Sequence, residues 1–249
     1  MERSTIAYIY DGSFEGLLSA VFTAFERREQ PYIIAQEENL QVIFGQEVVR
    51  VRTDPVLAGR VTDGVRKKMG ADAYGQIWTA FLSCDADRAT KIYRYIRVGM
   101  KIGRAVTSYL SNEDVLAVVN ICKYVGGEAH LLKGFVRFTK MDNGVYYAKI
   151  TPNNNVIPVL MPHFSDRYTD QPFLIHDPGH QLVGAYDLKE WYLIETDHID
   201  LPGMAADEAD WKRLWKRFYN AIAIAERTNH KLRMNHMPKR YWPNIDEMR

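Results

Sequence analysis

The sequence predicts an α+β fold: a helical N-terminal half, then a mostly antiparallel sheet of about five strands, then a C-terminal helix with an extended tail. Two observations predict this class. The first half is dominated by segments with apolar residues at helical spacing, and the second half carries short apolar or aromatic runs that follow one another closely. We expect a mainly helical region at 1–126 and a region of sheet, helix and basic tail at 127–249, which can also form one continuous domain.

The first half begins with a strand and continues with helices. Residues 6–10 form a short apolar and aromatic run that ends at Asp11-Gly12, which predicts a strand and a turn. Apolar residues at helical spacing then predict a helix over 14–28. Thr53-Asp54-Pro55 predicts another helix start, because an N-cap residue precedes a proline at the first helical position. Two more helices are predicted, around 77–82 and from Asn112 to about Gly126.

Residues 88–104 predict an amphipathic helix with a basic side. Lysine or arginine recurs every three or four residues and no acid occurs in the span. Isoleucine, tyrosine and valine fall on the other side, together with Gly99 and Gly103, which permit close approach of another helix. A basic face can track a phosphate backbone, and the alternative is an ordinary solvated face. The candidate DNA contacts are Arg94, Arg97, Lys101 and Arg104.

The second half predicts a sheet built from neighbouring strands. A hairpin is expected from 131–139 and 145–150, with Asp142-Asn143-Gly144 as its turn, and residues 157–168 are expected to form a short helix or loop. Three more strands are expected at 173–176, 181–187 and 191–195, with Asp177-Pro178-Gly179 as a turn. A final helix starts near Ala206, and we expect it to bury an apolar stripe: Trp211, Leu214, Trp215, Phe218, Ile222 and Ala225.

The composition is that of an ordinary globular protein, with 249 residues, 47% hydrophobic and 25% charged. Since the net charge is +1, any affinity for a polyanion has to come from local patches. Cys84 and Cys122 form no C-x-x-C pair, and we expect neither a metal nor a cofactor. No signal-peptide pattern and no apolar run near the ~20 residues of a membrane span is evident, so we expect a cytoplasmic protein that does not enter a membrane.

Several enzyme classes are disfavoured because their sequence motifs do not occur in the chain. The chain has no G-x-G-x-x-G after a strand and no G-x-x-x-x-G-K-[ST], which argues against dinucleotide enzymes and P-loop NTPases. It also has no G-x-S-x-G elbow of an α/β-hydrolase and no H-E-x-x-H zinc motif.

Polar and aromatic residues are densest between Glu128 and Arg167, which suits a pocket where a few polar groups converge on a ligand. Glu128 and His130 share a face on a strand and can form a general acid–base pair, or a polar pair at a helix-to-strand junction. His163 and Arg167 would align on a helix and can grip an anion, or form a surface pair. The catalytic candidates are Glu128, His130 and His163; the ligand-binding candidates are Asp11, Phe135, Arg137, Tyr147, Phe164 and Arg167.

Two of these candidates have a plain structural alternative. Asp11 precedes a predicted helix and can be its N-cap, since aspartate favours that position. Arg137 lies in a predicted strand between Val136 and Phe138, where alternation would turn it towards solvent.

The C-terminal segment is strongly basic. Residues 211–240 contain nine lysines and arginines against Glu226 alone, a difference of +8. Tyr241 and Trp242 follow and can stack on exposed bases. The alternative is an arm wrapped on its own domain with Trp242 buried. The candidate DNA contacts here are Arg227, Lys239, Arg240, Tyr241 and Trp242.

Short motifs spread over essentially the whole chain resemble one uncharacterised bacterial family, usually labelled a probable DNA metabolism or putative DNA repair protein. They are Tyr8–Leu18 (YIYDGSFEGLL), Glu128–His130, Gly134–Phe138, Tyr146–Ala148, Pro162–Phe164, Glu226–Asn229 and His236–Trp242. The resemblance implies a gene neighbour that encodes a radical SAM protein similar to DNA photoproduct lyases, and relatives fused to uracil-DNA-glycosylase-like domains. Asp177-Pro178-Gly179-His180 departs from the more basic stretch that the family leads us to expect, which weakens a DNA contact at that turn.

The leading hypothesis is therefore a DNA-binding component of a DNA repair or base-modification pathway, with DNA and a radical SAM protein as its partners. The chain lacks the cysteine triplet that holds a radical SAM cluster, so it is not itself the radical enzyme. Two alternatives stay open: a base-processing hydrolase of DNA-glycosylase type that uses Glu128 and His130, and a scaffold for the radical SAM partner.

Overall fold

The structure is a computed structural model that describes residues 6–39, 45–196, 198–222, 234 and 236–248. The chain divides into two units, Met1–Val125 and Gly126–Arg249. The predicted α+β class is confirmed: a largely helical first half is followed by a five-stranded, mostly antiparallel sheet and a C-terminal helix.

The first unit contains a small parallel sheet that the sequence did not predict in full. Its central strand, β1 (Ile6–Ile9), was expected, and β2 (Ile33–Ala35) and β3 (Glu47–Arg50) pair with it in parallel on either side. Strands of three or four residues are too short to show a clear alternation of apolar and polar positions. The predicted helix follows β1 as α1 (Phe14–Glu26).

Three further helices complete most of the first unit: α2 (Pro55–Met69), α3 (Ala71–Phe81) and α4 (Arg88–Ile102). Asp54 is the N-cap of α2, as predicted, and its carboxylate accepts hydrogen bonds from two backbone amides. The apolar side of α4 is buried from Ala89 to Gly99, whereas Ile102 at its end is exposed. A Cβ at Gly99 would lie 2.2 Å from the Met69 methyl carbon, so the close helix approach predicted at this glycine is confirmed.

The next helix, α5 (Glu113–Phe135), is longer than predicted. The expected strand over 131–139 is therefore wrong for most of its length, and only β4 (Thr139–Lys140) remains of it. Ala129 and Leu132, three positions apart, are both buried. A helix places residues at this spacing on one face, so burial of that face stabilises the helical conformation here.

By length and composition α5 is the one helix of the described chain that could cross a membrane, with a hydropathy of 1.3 over its most apolar window. In that window 44% of the residues are buried inside the molecule. Core helices of soluble proteins also combine this length with this composition.

The second unit is organised around the predicted sheet. Its strands are arranged in the order β4-β5-β6-β7-β8, where the new members are β5 (Tyr146–Lys149), β6 (Phe173–Asp177), β7 (Leu182–Tyr186) and β8 (Trp191–Glu195). All neighbours are antiparallel except β5 and β6, which α6 (Ile157–Arg167) connects. The predicted turn before β5 is present, and Gly144 adopts the positive φ of 84° that it needs.

The last helix, α7 (Glu208–Ile222), corrects one prediction. Its expected buried stripe is exposed at every position whose side chain is described: Trp211 61%, Leu214 56%, Trp215 42% and Phe218 52%. The side chains of Ile222 and Ala225 lie outside the described residues. An amphipathic pattern shows that a helix has an apolar side, but not that another part of the chain covers it.

Candidate functional site

A groove of about 800 Å³ lies on the second unit. It is built where the end of α5, the segment after it, α6 and the first turns of α7 meet. Its lining combines basic side chains and aromatic rings: Lys133, Arg137, His163, Arg167 and Lys212 with Phe138, Phe164, Tyr168, Trp211 and Trp215. Val136, Gly134, Glu208 and Asp246 complete it. Four predicted site residues are therefore brought together: Arg137, His163, Phe164 and Arg167.

The α6 side of the groove carries His163 and Arg167 one helical turn apart, as their spacing predicted. Burial, followed by the nearby Lys133 and Arg167 cations, lowers the pKa of His163. Among the described residues no carboxylate forms an ion pair with Lys133 or Arg167. These two cations are thus available to an anion, and their charges add to the larger effect of burial in lowering the pKa of His163.

Arg137 lines the groove but its charge is already matched. Its guanidinium donates to the Glu247 carboxylate at 2.6 Å and to the Gly134 carbonyl at 2.9 Å. Burial raises the pKa of Glu247, but hydrogen bonds from Arg137 and Trp215 outweigh it and leave that pKa lowered. The alternative of a solvent-facing strand arginine is wrong, because residue 137 lies after α5 and the side chain is held against Glu247.

Aromatic rings form the base and one wall of the groove. Phe164 is buried, stacks on Tyr168 with 6.1 Å between ring centroids, and meets Phe138 edge-on at 5.4 Å. From α7, Trp211 and Trp215 present exposed indoles to the same space. The groove therefore offers both fixed rings and accessible stacking surfaces.

A smaller cavity of about 240 Å³ adjoins the groove and shares Arg137, Lys212 and Asp246 with it. The predicted ligand residue Tyr147 lines this cavity. Its hydroxyl lies 2.9 Å from Nδ1 of His176.

Glu128 does not have the surroundings of a catalytic base. The carboxylate is buried on α5 and accepts five hydrogen bonds, from the Asn153 and Asn154 amides, the Asn154 side chain, the Arg240 guanidinium and the Tyr241 hydroxyl. Burial raises its pKa, but these hydrogen bonds outweigh burial and leave the pKa lowered. The structural alternative, a satisfied polar group, describes it better.

His130 is exposed on α5, while Glu128 is buried on the same helix. The predicted shared face required a strand, and two residues apart on a helix point in different directions. The structure thus does not bring the two together, and His163 lines the groove without either of them.

Most of the described tail packs on its own unit. Tyr241 is 2% exposed, lies with its ring 6.2 Å from that of Phe135, and is not free to stack on a base. Arg240 is held by Glu128 at 2.7 Å. The indole of Trp242 donates to the Met237 carbonyl and is half-buried, whereas Lys239 is exposed. The wrapped-arm alternative is therefore correct for Arg240 and Tyr241; Arg227 lies outside the described residues.

Asp11 organises a turn in the first unit and is not the N-cap of α1. That cap is Ser13, whose side chain accepts from the Gly16 amide. The Asp11 carboxylate instead accepts from the Ser13 amide and hydroxyl and, at 2.6 Å, from the Thr53 hydroxyl. Burial raises the pKa of Asp11, but these hydrogen bonds outweigh it and lower the pKa.

The basic side of α4 belongs to the first unit. Arg94, Lys101 and Arg104 are exposed, and Arg94 also donates to the Tyr32 carbonyl. Arg97 is half-buried and lies over the Tyr93 ring. Contact of these four residues with DNA stays a prediction.

Sequence reasoning missed the groove residues that come from elements far apart in the chain. Lys133 belongs to the part of α5 that was predicted to be a strand, and Trp211 and Trp215 were expected in the core. A signal was present, since the two tryptophans are four apart in a helix rich in lysine and arginine. Among the described residues no three His, Cys, Asp or Glu side chains are placed to hold a metal ion.

Comparison with known proteins gives one family. The model of DUF4130, a domain of unknown function, matches residues 86–247. The matched segment includes α4 and every residue that lines the groove and the cavity. No curated protein and no solved structure matches the chain.

Proposed function

The chain belongs to the DUF4130 family, and we propose that it binds single-stranded DNA in the groove of its second unit as a component of a DNA repair or base-modification pathway. The proposal is supported by the meeting, in one groove, of two exposed indoles, Trp211 and Trp215, with Lys133 and Arg167, two cations that form no ion pair with a carboxylate of the described residues. Cations that follow the phosphates and rings that accept bases are the two recurring parts of single-strand sites.

The charges favour an anionic ligand at the α6 side. Of the cations lining the groove, Arg137 is matched by Glu247 and Lys212 lies 3.7 Å from Asp246. Lys133 and Arg167 remain. Both lie near enough to His163 for their charges to lower its pKa, in addition to the effect of burial. A guanidinium and an ammonium on one side of a groove suit successive phosphates, which they bind with release of counterions.

The aromatic side favours a single strand over a duplex. The exposed rings of Trp211 and Trp215 can stack on the faces of unpaired bases. In a duplex the bases are stacked on one another, and their faces are not accessible to the indoles. The net charge of +1 adds no long-range attraction, so binding depends on this local arrangement.

The proposed pathway and partner are inferred from the family resemblance and from the small number of cysteines in the chain. Two cysteines are too few to hold a radical SAM cluster, so a partner protein would supply that chemistry and this chain would present the DNA. The hydrolase alternative loses its proposed base, because Glu128 is fully engaged in hydrogen bonds.

A salt titration of binding tests the proposal. Fluorescence anisotropy with a labelled oligothymidylate is measured from low to high salt for the wild type, Lys133→Ala, Arg167→Ala and the control Lys189→Ala, which removes an exposed cation from the turn before β8. Each groove variant should weaken binding and reduce the slope of log K against log salt by about 0.7, the value of one phosphate contact on a single strand. The control should leave both unchanged.

Two outcomes would count against the proposal. Absence of salt-dependent binding to any single strand would remove it, and co-purification with a radical SAM protein in that case would favour the scaffold alternative. An equal effect of Lys189→Ala would show that net charge, and not the groove, attracts the DNA.

A further inference from the structure

We propose that the smaller cavity beside the groove receives one unpaired nucleobase of the bound strand. The inference rests on the proposed function and names the part of the DNA that the cavity binds. Arg137, Lys212 and Asp246 line both spaces, so a strand in the groove passes the mouth of the cavity. At about 240 Å³ the cavity is smaller than typical sites for drug-sized ligands, which begin near 300 Å³.

The walls suit a flat ring. Met141, Leu201 and Met204 provide apolar surface, and the Tyr147 ring provides an aromatic one. Met141 is 5% exposed, whereas Met204 is 56% and Leu201 40% exposed, so one wall is fixed and the other is open to solvent. Thioether side chains adapt to the faces of aromatic rings, and a base entering here would cover the exposed methionine.

The polar groups favour a base over a simple anion or an apolar ligand. Lys149, Lys212 and Asn244 line the cavity together with the carboxylate of Asp246. The Lys212 ammonium is held by the Thr139 hydroxyl at 2.7 Å and lies 3.7 Å from Asp246. The cavity thus mixes three cations, Arg137, Lys149 and Lys212, with a carboxylate that repels a phosphate, whereas the edge of a base presents donors and acceptors side by side and can meet both signs.

Tyr147 supplies a positioned hydroxyl. His176 is buried, its Nδ1 lies 2.9 Å from the Tyr147 oxygen, and its Nε2 has no partner among the described residues. An orphaned N–H is costlier than an orphaned acceptor, so the tautomer with the proton on Nδ1 is favoured. In that tautomer His176 donates to the Tyr147 oxygen, and the hydroxyl proton stays available for a carbonyl oxygen of the base.

The experiment separates the base from the backbone. Binding is measured by competition for two hexanucleotides, one fully abasic and one that carries a single cytosine in an otherwise abasic strand. The variants are Met204→Trp, which fills the cavity from its exposed side, and Tyr147→Phe, which keeps the ring and removes the hydroxyl. Val56→Trp adds the same indole at an exposed position of the first unit and is the control.

Wild type and Val56→Trp should bind the cytosine strand about ten-fold more tightly than the abasic strand, on the order of the contribution of one stacked base. Met204→Trp should abolish that preference and Tyr147→Phe should reduce it, while the affinity of both variants for the abasic strand stays at the wild-type value. Equal binding of the two strands by the wild type would overturn the inference and leave groove binding intact, as would a preference that survives in both cavity variants. If neither strand binds, longer single strands decide whether the proposed function falls with the inference.

Discussion

The Tyr241 hydroxyl donates a 2.7 Å hydrogen bond to the Glu128 carboxylate, which joins two residues 113 positions apart. Arg240 reaches the same carboxylate oxygen at 2.7 Å. The pair fastens the described end of the chain to α5, and it does so close to the elements that form the groove. Glu128, which the sequence suggested as a catalytic residue, therefore has a structural role.

Replacement of Glu128 should therefore destabilise the protein. Glu128→Ala removes the carboxylate that accepts from the buried Tyr241 hydroxyl and pairs with the Arg240 guanidinium, and we expect a loss of about 2–4 kcal/mol in the free energy of unfolding. His130→Ala, an exposed change on the same helix, should stay within about 0.5 kcal/mol. Urea denaturation of both variants checks the difference. Similar values for the two would show that the carboxylate does not hold the tail.

The pair His180 and Asp177 predicts a dependence of stability on pH. The buried Asp177 carboxylate lies 2.6 Å from Nδ1 of His180, and this hydrogen bond raises the pKa of His180 against the opposing effect of burial. A histidine whose pKa is raised by folding stabilises the protein fully below its unfolded pKa of about 6.5, and the contribution is lost as the pH rises through the folded pKa.

We expect the stability of the wild type to exceed that of His180→Gln by about 1.5–3 kcal/mol at pH 5, the range of a hydrogen bond to a charged group. The difference should shrink towards alkaline pH. Comparison with the variant is necessary because the pKa of His176 is lowered, mainly by burial, which acts in the opposite sense. Unfolding by guanidinium chloride at a series of pH values measures the difference. A gap that is constant, or that grows with pH, would contradict the assignment.

The sequence predicted what short local signals determine. The strand at Trp191–Glu195 and the turn at Gly144 follow from a run of large apolar residues and from a glycine in a turn motif, so they were predicted at the right places. The spacing of His163 and Arg167 likewise needed only a helix. Whether α5 continues past Gly126, in contrast, depends on what Ala129 and Leu132 pack against, which the local sequence does not contain.

The site was predictable only in part for the same reason. Arg137 and His163 were identified from residue type, but Lys133 and Trp211 come from the ends of other elements and reach the groove through tertiary structure. The tail was misjudged because Tyr241 next to basic residues resembles a stacking surface. Its role is set by the buried acceptor Glu128, which is remote in sequence.

Gly16, in the first turn of α1, is predicted not to tolerate a side chain. A Cβ at Gly16 would lie 2.1 Å from an Asp11 carboxylate oxygen and 2.8 Å from the Thr53 hydroxyl, so Gly16→Ala has to displace the hydrogen bonds of Asp11. We expect a loss of about 1–3 kcal/mol, the usual range for overpacking. Gly59→Ala is the control, because its Cβ would meet open space on α2 and alanine should stabilise that helix by about 0.4–1 kcal/mol. Thermal unfolding should give shifts of opposite sign, and equal shifts would exclude this role of Asp11.

The exposed indole of Trp211 predicts a stacking contribution that is independent of salt. Trp211→Ala should weaken binding of single-stranded DNA by about 5- to 100-fold, the range for loss of one base–aromatic stack, without changing the slope of log K against log salt. Trp191→Ala removes an indole on β8 of the same unit, outside the lining of the groove, and should leave affinity unchanged. Both variants are compared in the same anisotropy titrations. Because Trp211 is 61% exposed, its replacement should cost little stability, and unfolding curves verify that. A change in the salt slope with Trp211→Ala would mean that α7 acts through its charges, and equal losses in the two variants would remove stacking in the groove as the reason.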